Sequence, residues 1–291
     1  MRVYKRSLGD NIFDTINIIF ITLFAISCLY PFLYIFNVSI SEGISTSQYG
    51  LNIIPRGITF KYYAKIFKTD TIMIGFFNSV FRTIIGSFCC VVFTAMGAYP
   101  MSKKYLPNRN FWTWYILFTM FFSGGLIPSY FLIRDLGIIN TRRVLIIPGL
   151  VSTYSLLIMR NYMMSLPSEL EESAKIDGAN DVYILSKIIL PLCKPIIATV
   201  ALWSAVGHWN SWFDSLIYAN KPNLVVLQVV LYRIINFGSS DSVTGNMLDD
   251  FVYPEVIKAC TIMITTIPII CVYPFAQKHF IKGILVGSLK G

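Results

Sequence analysis

Charged residues are scarce in this sequence. Asp, Glu, Lys and Arg make up 13% of its 291 residues, against about a quarter in a typical soluble domain. The chain is instead 55% hydrophobic, with a mean hydropathy of +0.62. So few charges cannot cover an exterior that faces water, whereas an exterior that faces lipid does not need them. The scarcity therefore excludes an ordinary soluble protein and indicates one embedded in a bilayer.

Metal ligands and catalytic motifs are also lacking. The sequence has only two histidines, His208 and His279, and none of its six cysteines forms a Cys-x-x-Cys pair. We therefore expect buried thiols, with no disulfide framework and no metal site. The motifs Gly-x-x-x-x-Gly-Lys-Ser/Thr, His-Glu-x-x-His and Gly-x-Ser-x-Gly are absent. This argues against a membrane-embedded enzyme and predicts a chain that neither hydrolyses ATP nor binds a cofactor itself.

The basic residues form no continuous stripe, although the net charge is +9. They stand singly or in pairs between apolar blocks, as anchors near a membrane–water boundary do. Nucleic-acid binding needs contiguous basic surface. We therefore expect a lipid bilayer as the surrounding and no nucleic acid as a partner.

Long uncharged runs are what the sequence has instead, and a spanning helix needs roughly 20 apolar residues. Six such runs occur, and one of them, Val144–Met159, is shorter than the other five and continues towards Met164. Only helices or closed barrels satisfy the backbone in lipid, and alternating strand patterns are not seen. We therefore predict an all-α membrane protein with about six transmembrane helices, the other five runs being Thr15–Ser41, Thr83–Ser102, Asn110–Ile133, Pro195–Phe213 and Ala259–Gln277.

An even number of helices places both termini on one side of the membrane. Lys and Arg divide almost evenly between the two sides, so the positive-inside rule favours cytoplasmic termini only slightly. With the termini inside, Glu42–Ile74 and Asn220–Ile257 are external and Ser165–Lys194 is cytoplasmic. We divide the chain into an N-terminal helix with its external loop (1–75), a core transmembrane domain (76–278) and a cytoplasmic tail (279–291).

The segment 168–191, between two predicted spans, carries the most informative pattern. Ser168 precedes acidic residues at positions 169, 171 and 172, which predicts a helix N-cap followed by an acidic first turn. Gly178 predicts the C-terminal end of this short helix. A second helical piece, Val182–Leu190, leads into Pro191. Taken physically, the segment is a short charged helix beside the membrane, and an ordinary loop at the lipid headgroups has the same pattern.

The same segment resembles the signature of ABC importer permeases. That signature is Glu-Ala-Ala, three residues, Gly, nine residues, Ile, one residue and Leu-Pro. The chain matches it with Ser in place of one Ala, at Glu172-Ser173-Ala174, Gly178, Ile188 and Leu190-Pro191. Asp177-Gly178-Ala179 also fits the family. The C-terminal Phe280-Ile281-Lys282-Gly283 and Gly287 to Gly291 resemble the carbohydrate permeases of the maltose type, in particular the oligosaccharide group.

The resemblance, which covers about residues 70–291, implies a type I ABC importer permease fold with both termini cytoplasmic. It implies a multi-pass permease subunit in the plasma membrane that imports a sugar or oligosaccharide by alternating access. The implied partners are a second homologous permease subunit, an extracytoplasmic solute-binding protein and a cytoplasmic ATPase dimer that holds ATP and Mg²⁺. The residues implied to couple to the ATPase are Glu171, Glu172, Ser173, Ala174, Asp177, Gly178 and Ala179.

Two alternatives stay open at this point: an ABC permease for a solute that is not a sugar, and a secondary transporter. The secondary transporter offers no account of the 172–191 signature. A permease that works with an ATPase and a secondary transporter differ in whether transport needs ATP.

A substrate path is predicted on the fifth span, where about 100° per residue places polar and aromatic side chains on one face. Sugar rings stack on aromatic side chains, and amides and carboxylates bind sugar hydroxyls. Hydrogen bonding between helices explains the same residues. His208 points off this face and is expected to be packed or hydrogen-bonded. Arg82 either lines the cavity or snorkels to the outer interface, and we expect it to snorkel. The predicted path residues are Trp203, Asn210, Ser211, Asp214 and Tyr218, with Asn78 of the second span.

Overall fold

The computed structural model describes residues 8–42, 54–55, 57–237 and 253–288, and within these residues the regular structure is helical. The only extended pairing there is an isolated antiparallel bridge between Ser41 and Ile58. The α-helices are α1 (Leu8–Ile40), α2 (Lys61–Phe67), α3 (Asp70–Ser102), α4 (Arg109–Phe121), α5 (Leu126–Asp135), α6 (Thr153–Met164), α7 (Glu169–Ile176), α8 (Asp181–Tyr183), α9 (Leu190–Leu192), α10 (Lys194–Asn210), α11 (Phe213–Tyr218), α12 (Leu227–Phe237) and α13 (Pro254–Ser288). Short 3-10 turns at Arg142–Leu145 and Pro222–Leu224 and a π-helical stretch at Ile184–Ile189 complete the order.

Three helices among the described residues are long and apolar enough to cross a membrane: α1, α3 and the Pro254–Pro274 part of α13. The first two have 33 residues each, which is about 50 Å at 1.5 Å per residue and more than the hydrocarbon core needs. Along α1 only the last four residues are buried. A helix that exposes apolar side chains over most of its length fits a lipid surrounding and no aqueous one.

Two further spans are bent. The α4–α5 pair turns by 111°, and the pair of Asp181–Leu192 with α10 turns by 84°; counting each as one span gives up to five. The single helix predicted over Asn110–Ile133 is therefore two helices. Helix α4 ends at Phe121 and is followed by an extended Phe122, and Gly125, with φ +87°, directly precedes α5 in a conformation that glycine adopts readily. The sixth predicted run, Val144–Met159, is not one helix: residues 146–152 lie outside the helices, and only its end, from Thr153, lies on α6, whose 12 residues reach about 18 Å.

The described residues divide into two compact units. The first contains α1, α2 and the start of α13. Here the Tyr63 hydroxyl donates to Ser39 Oγ at 2.8 Å, and the Cys260 thiol donates to the Ser39 carbonyl at 3.2 Å. Burial beside this cluster raises the pKa of the Tyr63 hydroxyl, chiefly by desolvation. The polar end of α1 is thus buried and hydrogen-bonded, in contrast to its apolar body.

The second unit runs from Asp70 to Asn236 and resumes at Ile267. Helix α3 is its central element, and α6 and α10 pack against it. One buried apolar cluster joins the C-terminal half of α3 to α6, to Ala174 of α7 and to the start of α10. Through Ala174, α7 therefore packs on the core of the unit, and a close-packed interior transmits displacement. The members of the cluster include Ala98, Met159, Met163, Ala174, Ile184, Ile189, Cys193 and Val200.

Candidate functional site

Helix α7 ends as the sequence predicted, at Gly178. The Ala179 amide donates to the Ala174 carbonyl at 2.9 Å, and the Gly178 amide donates to the Lys175 carbonyl at 3.0 Å. Together with φ +79° at Gly178, these bonds form a Schellman motif, which glycine adopts without steric cost. The turn is therefore fixed by the backbone, and the chain leaves α7 in one defined direction.

The N-terminal end of α7 differs from the prediction. Ser168 lies at the cap position, but its backbone is already helical and its side chain makes no capping hydrogen bond. Its carbonyl accepts from the Glu171 and Glu172 amides at 3.0 and 3.1 Å. The acidic first turn is present as predicted, with Glu169, Glu171 and Glu172. This end of α7 is therefore stabilised by its acidic side chains, which interact favourably with the macrodipole, and not by a serine cap.

The predicted coupling residues divide between an exposed and a buried face. Glu172, Ser173, Asp177 and Gly178 are exposed, and nothing lies within 4 Å of a Cβ placed on Gly178. The opposite face carries Ala174, Glu171 and Ala179, which are buried or half-buried within this chain. The exposed face is therefore available to another protein, whereas the other face is not.

Lys175 and Asp181 brace the exposed side. Lys175 Nζ lies 3.6 Å from Asp181 Oδ1 and donates to the Tyr105 hydroxyl at 3.3 Å. The hydrogen bond with Tyr105 raises the pKa of Lys175 above its usual value. The lysine is exposed, so it remains a surface cation over the whole physiological range.

The rest of the signature lies in the turn that leads to α10. The Asn180 side chain caps α8 by accepting from the Tyr183 amide at 2.8 Å. Ile188 and Leu190 pack against the buried apolar cluster, and Pro191 is exposed. The 84° bend follows. The apolar positions of the signature therefore anchor the segment, and its acidic and glycine positions shape the exposed end.

A cavity of about 580 Å³ lies in the second unit, between α3, the start of α6, and α10 with α11. Trp203, Ser211 and Asp214 of the face predicted on the fifth span line it, and so do Gly207 and His208. The ring of Trp203 lies 5.6 Å from that of Tyr154, centroid to centroid. Tyr154 was not among the predicted path residues, because it belongs to α6 and not to the fifth span. A wall of rings beside hydroxyls and a carboxylate is suited to a polar ligand with apolar faces.

Arg82 does not snorkel to an interface; the prediction was wrong. The residue is 2% exposed, and its guanidinium binds the Asp214 carboxylate with both terminal nitrogens, Nη1 to Oδ1 at 3.1 Å. It also donates to the Ser211 carbonyl at 3.3 Å and to His208 Nδ1 at 3.4 Å. A paired charge in a buried setting costs less than an unpaired one, so Arg82 turns inward to its partner. His208 is hydrogen-bonded, as predicted, but it also lines the cavity, so the prediction that it points away from the path was wrong.

The ion pair also holds a helix break. Helix α10 ends at Asn210 and α11 begins at Phe213. Asp214 Oδ1 accepts from Ser211 Oγ at 2.7 Å and from the Ser215 amide at 2.8 Å. Arg82 therefore satisfies both a carbonyl freed by the break and the carboxylate beyond it. Two lone charges of opposite sign in otherwise apolar segments were a signal for this pair in the sequence.

Three predicted path residues lie outside the lining of this cavity. The Asn78 amide donates to the Asn223 and Val225 carbonyls, both at 2.9 Å, and so ties α3 to the segment before α12. Tyr218 is buried and stacks on Tyr130 at 6.0 Å. Asn210 is exposed. The cavity therefore supports a path role for Trp203, Ser211 and Asp214 and adds no support for the other three.

No group of three or more His, Cys, Asp or Glu suited to a metal occurs in the described part of the chain. Bent helices of spanning length, a cavity lined by aromatic rings, hydroxyls and an ion pair, and a separate short helix with an acidic first turn are the features expected of a multi-pass membrane transport component. Residues 110–286 match the family described as "Binding-protein-dependent transport system inner membrane component". The chain belongs to this family, whose members are the membrane subunits of ABC transporters and leave ATP hydrolysis to a separate subunit.

Known proteins resemble the chain over nearly its full length. Protein LplC of Bacillus subtilis (strain 168) is 40% identical over 97% of this chain and 96% of that protein. The polygalacturonan/rhamnogalacturonan transport system permease protein YtcP of the same strain is 36% identical over 98% and 100%. A subunit in the crystal structure of a bacterial ABC transporter that imports the acidic polysaccharide alginate matches with a TM-score of 0.90. That subunit is 33% identical, over 95% of this chain and 99% of its own.

Proposed function

We propose that this permease carries a saccharide through the cavity beside Trp203. The observation that carries the proposal is the arrangement of the cavity, in which the Trp203 and Tyr154 rings lie near Ser211 and the Arg82–Asp214 pair. Aromatic faces bind the apolar faces of a pyranose, and the hydroxyls need hydrogen-bonding partners. The names of YtcP and of the alginate importer, both of which concern polysaccharides, support the same substrate class.

We further propose that the importer contains a second homologous permease subunit, a cytoplasmic ATPase dimer and an extracytoplasmic solute-binding protein. ATP and Mg²⁺ bind the ATPase, and this chain binds no cofactor. The exposed face of α7, with Glu172, Ser173, Asp177 and Gly178, docks on the ATPase. This places segment 168–191 and both termini in the cytoplasm. Two observations support the proposal. Glu172 is exposed and can therefore contact another protein, and α7 is a short helix, which transmits force where a loose loop cannot.

The assembly is tested by purifying the tagged chain from its native membrane in mild detergent and identifying the bound proteins by mass spectrometry. We expect a second permease-sized subunit and an ATPase, and we expect Glu172→Lys to release the ATPase. Glu169→Lys is the matched control, since Glu169 is exposed in the same first turn but lies outside the signature. A chain that purifies alone and transports without ATP is a secondary transporter and contradicts the proposal.

The substrate class is tested with the complete importer in proteoliposomes, supplied with ATP and its solute-binding protein. We expect uptake of labelled oligosaccharides and no uptake of amino acids or peptides. Uptake of a solute other than a sugar, dependent on ATP and on Glu172, leaves the permease assignment intact and refutes the saccharide proposal.

A further inference from the structure

Glu171 pairs with Lys103 inside the chain, although its neighbour Glu172 faces outward. Lys103 Nζ binds Glu171 Oε1, and the two side chains are only 9% and 15% exposed. Burying two charges costs desolvation free energy that only good geometry recovers. The contact therefore differs from the surface pair of Arg134 with Asp135, whose side chains are 55% and 66% exposed.

The pair joins two helix ends that suit its charges. Lys103 follows the last residue of α3 and lies 4.2 Å from the centroid of the Tyr99 ring. Glu171 lies in the first turn of α7. A cation at a helix C-terminus and an anion at an N-terminus are both favoured by the macrodipoles, and the ring adds a cation–π contact. Each charge is therefore favoured at its own helix end, in addition to the contact between the two side chains.

Helix α3 continues from this contact to the cavity. It is one continuous helix, Asp70–Ser102, and Arg82 lies 20 residues before its end, about 30 Å away at 1.5 Å per residue. At the near end, Arg160 Nε of α6 donates to the Met101 carbonyl at 3.1 Å, and the Lys103 amide donates to the Pro100 carbonyl at 3.1 Å. At the cavity, Arg82 binds both sides of the break between α10 and α11. A displacement of α7 therefore has a direct route along α3 to the cavity wall.

We propose that Lys103 and Glu171 are positioning residues that transmit the movement of α7 to α3 and so couple ATP hydrolysis to opening of the cavity. This rests on the proposed function, and it assigns Glu171 to a contact within the permease, leaving Glu172 to dock on the ATPase. The pair transmits force because it is buried, bridges two rigid helices and lies at the end of the helix that lines the cavity.

The test uses the complete importer in proteoliposomes, with the variants Lys103→Glu, Glu171→Lys and the double swap Lys103→Glu/Glu171→Lys. Three quantities are measured: the ATPase that co-purifies, the rate of ATP hydrolysis, and the solute transported per ATP. We expect each single variant to keep its ATPase and its hydrolysis but to transport about 10-fold less solute per ATP, a typical loss of coupling between sites. We expect the double swap to recover most of this loss.

Lys104→Glu is the matched control, because Lys104 is the adjacent, exposed lysine, and it should transport per ATP as the unchanged importer does. The milder variants Lys103→Gln and Glu171→Gln keep the test valid if a charge reversal prevents folding, and they should show a smaller loss in the same quantity. Loss of the ATPase in Glu171→Lys but not in Lys103→Glu overturns the proposal and places Glu171 on the ATPase. Unchanged transport per ATP in all variants overturns it as well. Absence of ATP-driven transport in the unchanged importer refutes the proposed function instead.

Discussion

Removing either charge of the buried Arg82–Asp214 pair should destabilise the protein, but by different amounts. The Arg82 side chain is 3% exposed and that of Asp214 is 21% exposed. Without Arg82, the carboxylate keeps the Ser211 hydroxyl and the Ser215 amide as donors. When the Asp214 carboxylate becomes an amide, the guanidinium keeps one amide oxygen, the Ser211 carbonyl and His208 Nδ1 as acceptors, and none of them carries a charge.

The magnitudes follow from this asymmetry. Asp214→Asn leaves an almost fully buried cation without its counter-charge and should lower the free energy of unfolding by about 3–5 kcal/mol. Arg82→Met leaves a partly solvated carboxylate that retains two donors, and should cost about 1–3 kcal/mol. The double variant Arg82→Met/Asp214→Asn removes both charges and should be more stable than Asp214→Asn alone, because no unpaired charge stays buried.

Reversible unfolding in mixed detergent micelles measures these free energies, and the double-mutant cycle isolates the coupling between the two side chains. The control is Arg134→Met, which breaks the exposed pair with Asp135 and should change the free energy of unfolding by less than about 1 kcal/mol. Equal costs for the two single variants, with an additive double variant, would show that the side chains are not paired in the folded protein. That result would refute the account of the helix break.

Three further changes test other parts of the structure. Gly86→Ala places a methyl group 2.6 Å from His208 Nε2 and should cost about 1–3 kcal/mol of unfolding free energy; adding His208→Ala should recover most of it. Gly178→Ala, in open space but at φ +79°, should cost about 1–2 kcal/mol in the same measurement, and Gly178→Asn less. Trp203→Ala should lower saccharide uptake in proteoliposomes while the co-purified ATPase stays unchanged, and Trp203→Phe should retain uptake. If Trp203→Ala takes up saccharide as fast as Trp203→Phe and the unchanged importer do, the ring has no role in the substrate path.

Local features of the chain were readable in advance because they depend on near neighbours in sequence. Apolar runs of spanning length require helices in lipid, and α1, α3 and α13 follow them. The acidic first turn of α7 and the glycine that ends it are likewise properties of a few adjacent residues. The spacing of the signature placed Glu172 on a short helix and Gly178 at its end, and both residues are exposed.

The exceptions come from free energies that compete over longer distances. A capping serine was expected at position 168, but α7 begins there without a serine cap, and its acidic first turn suits the macrodipole instead. An uninterrupted helix was expected through Gly125, where the structure bends by 111°. Hydropathy measures the cost of leaving water and contains no information about backbone direction, so it cannot distinguish a straight span from a bent one.

The sequence by itself determined the class of the protein, its helical bundle and the short helix that carries the signature. Only the tertiary structure decided that Arg82 turns inward to Asp214, since these residues are 132 positions apart and neither segment alone shows the other. The same holds for adjacent Glu171 and Glu172, of which one is buried against Lys103 and the other is exposed. Charge and spacing are properties of the chain, whereas the partner of a buried charge is set by which helices pack together.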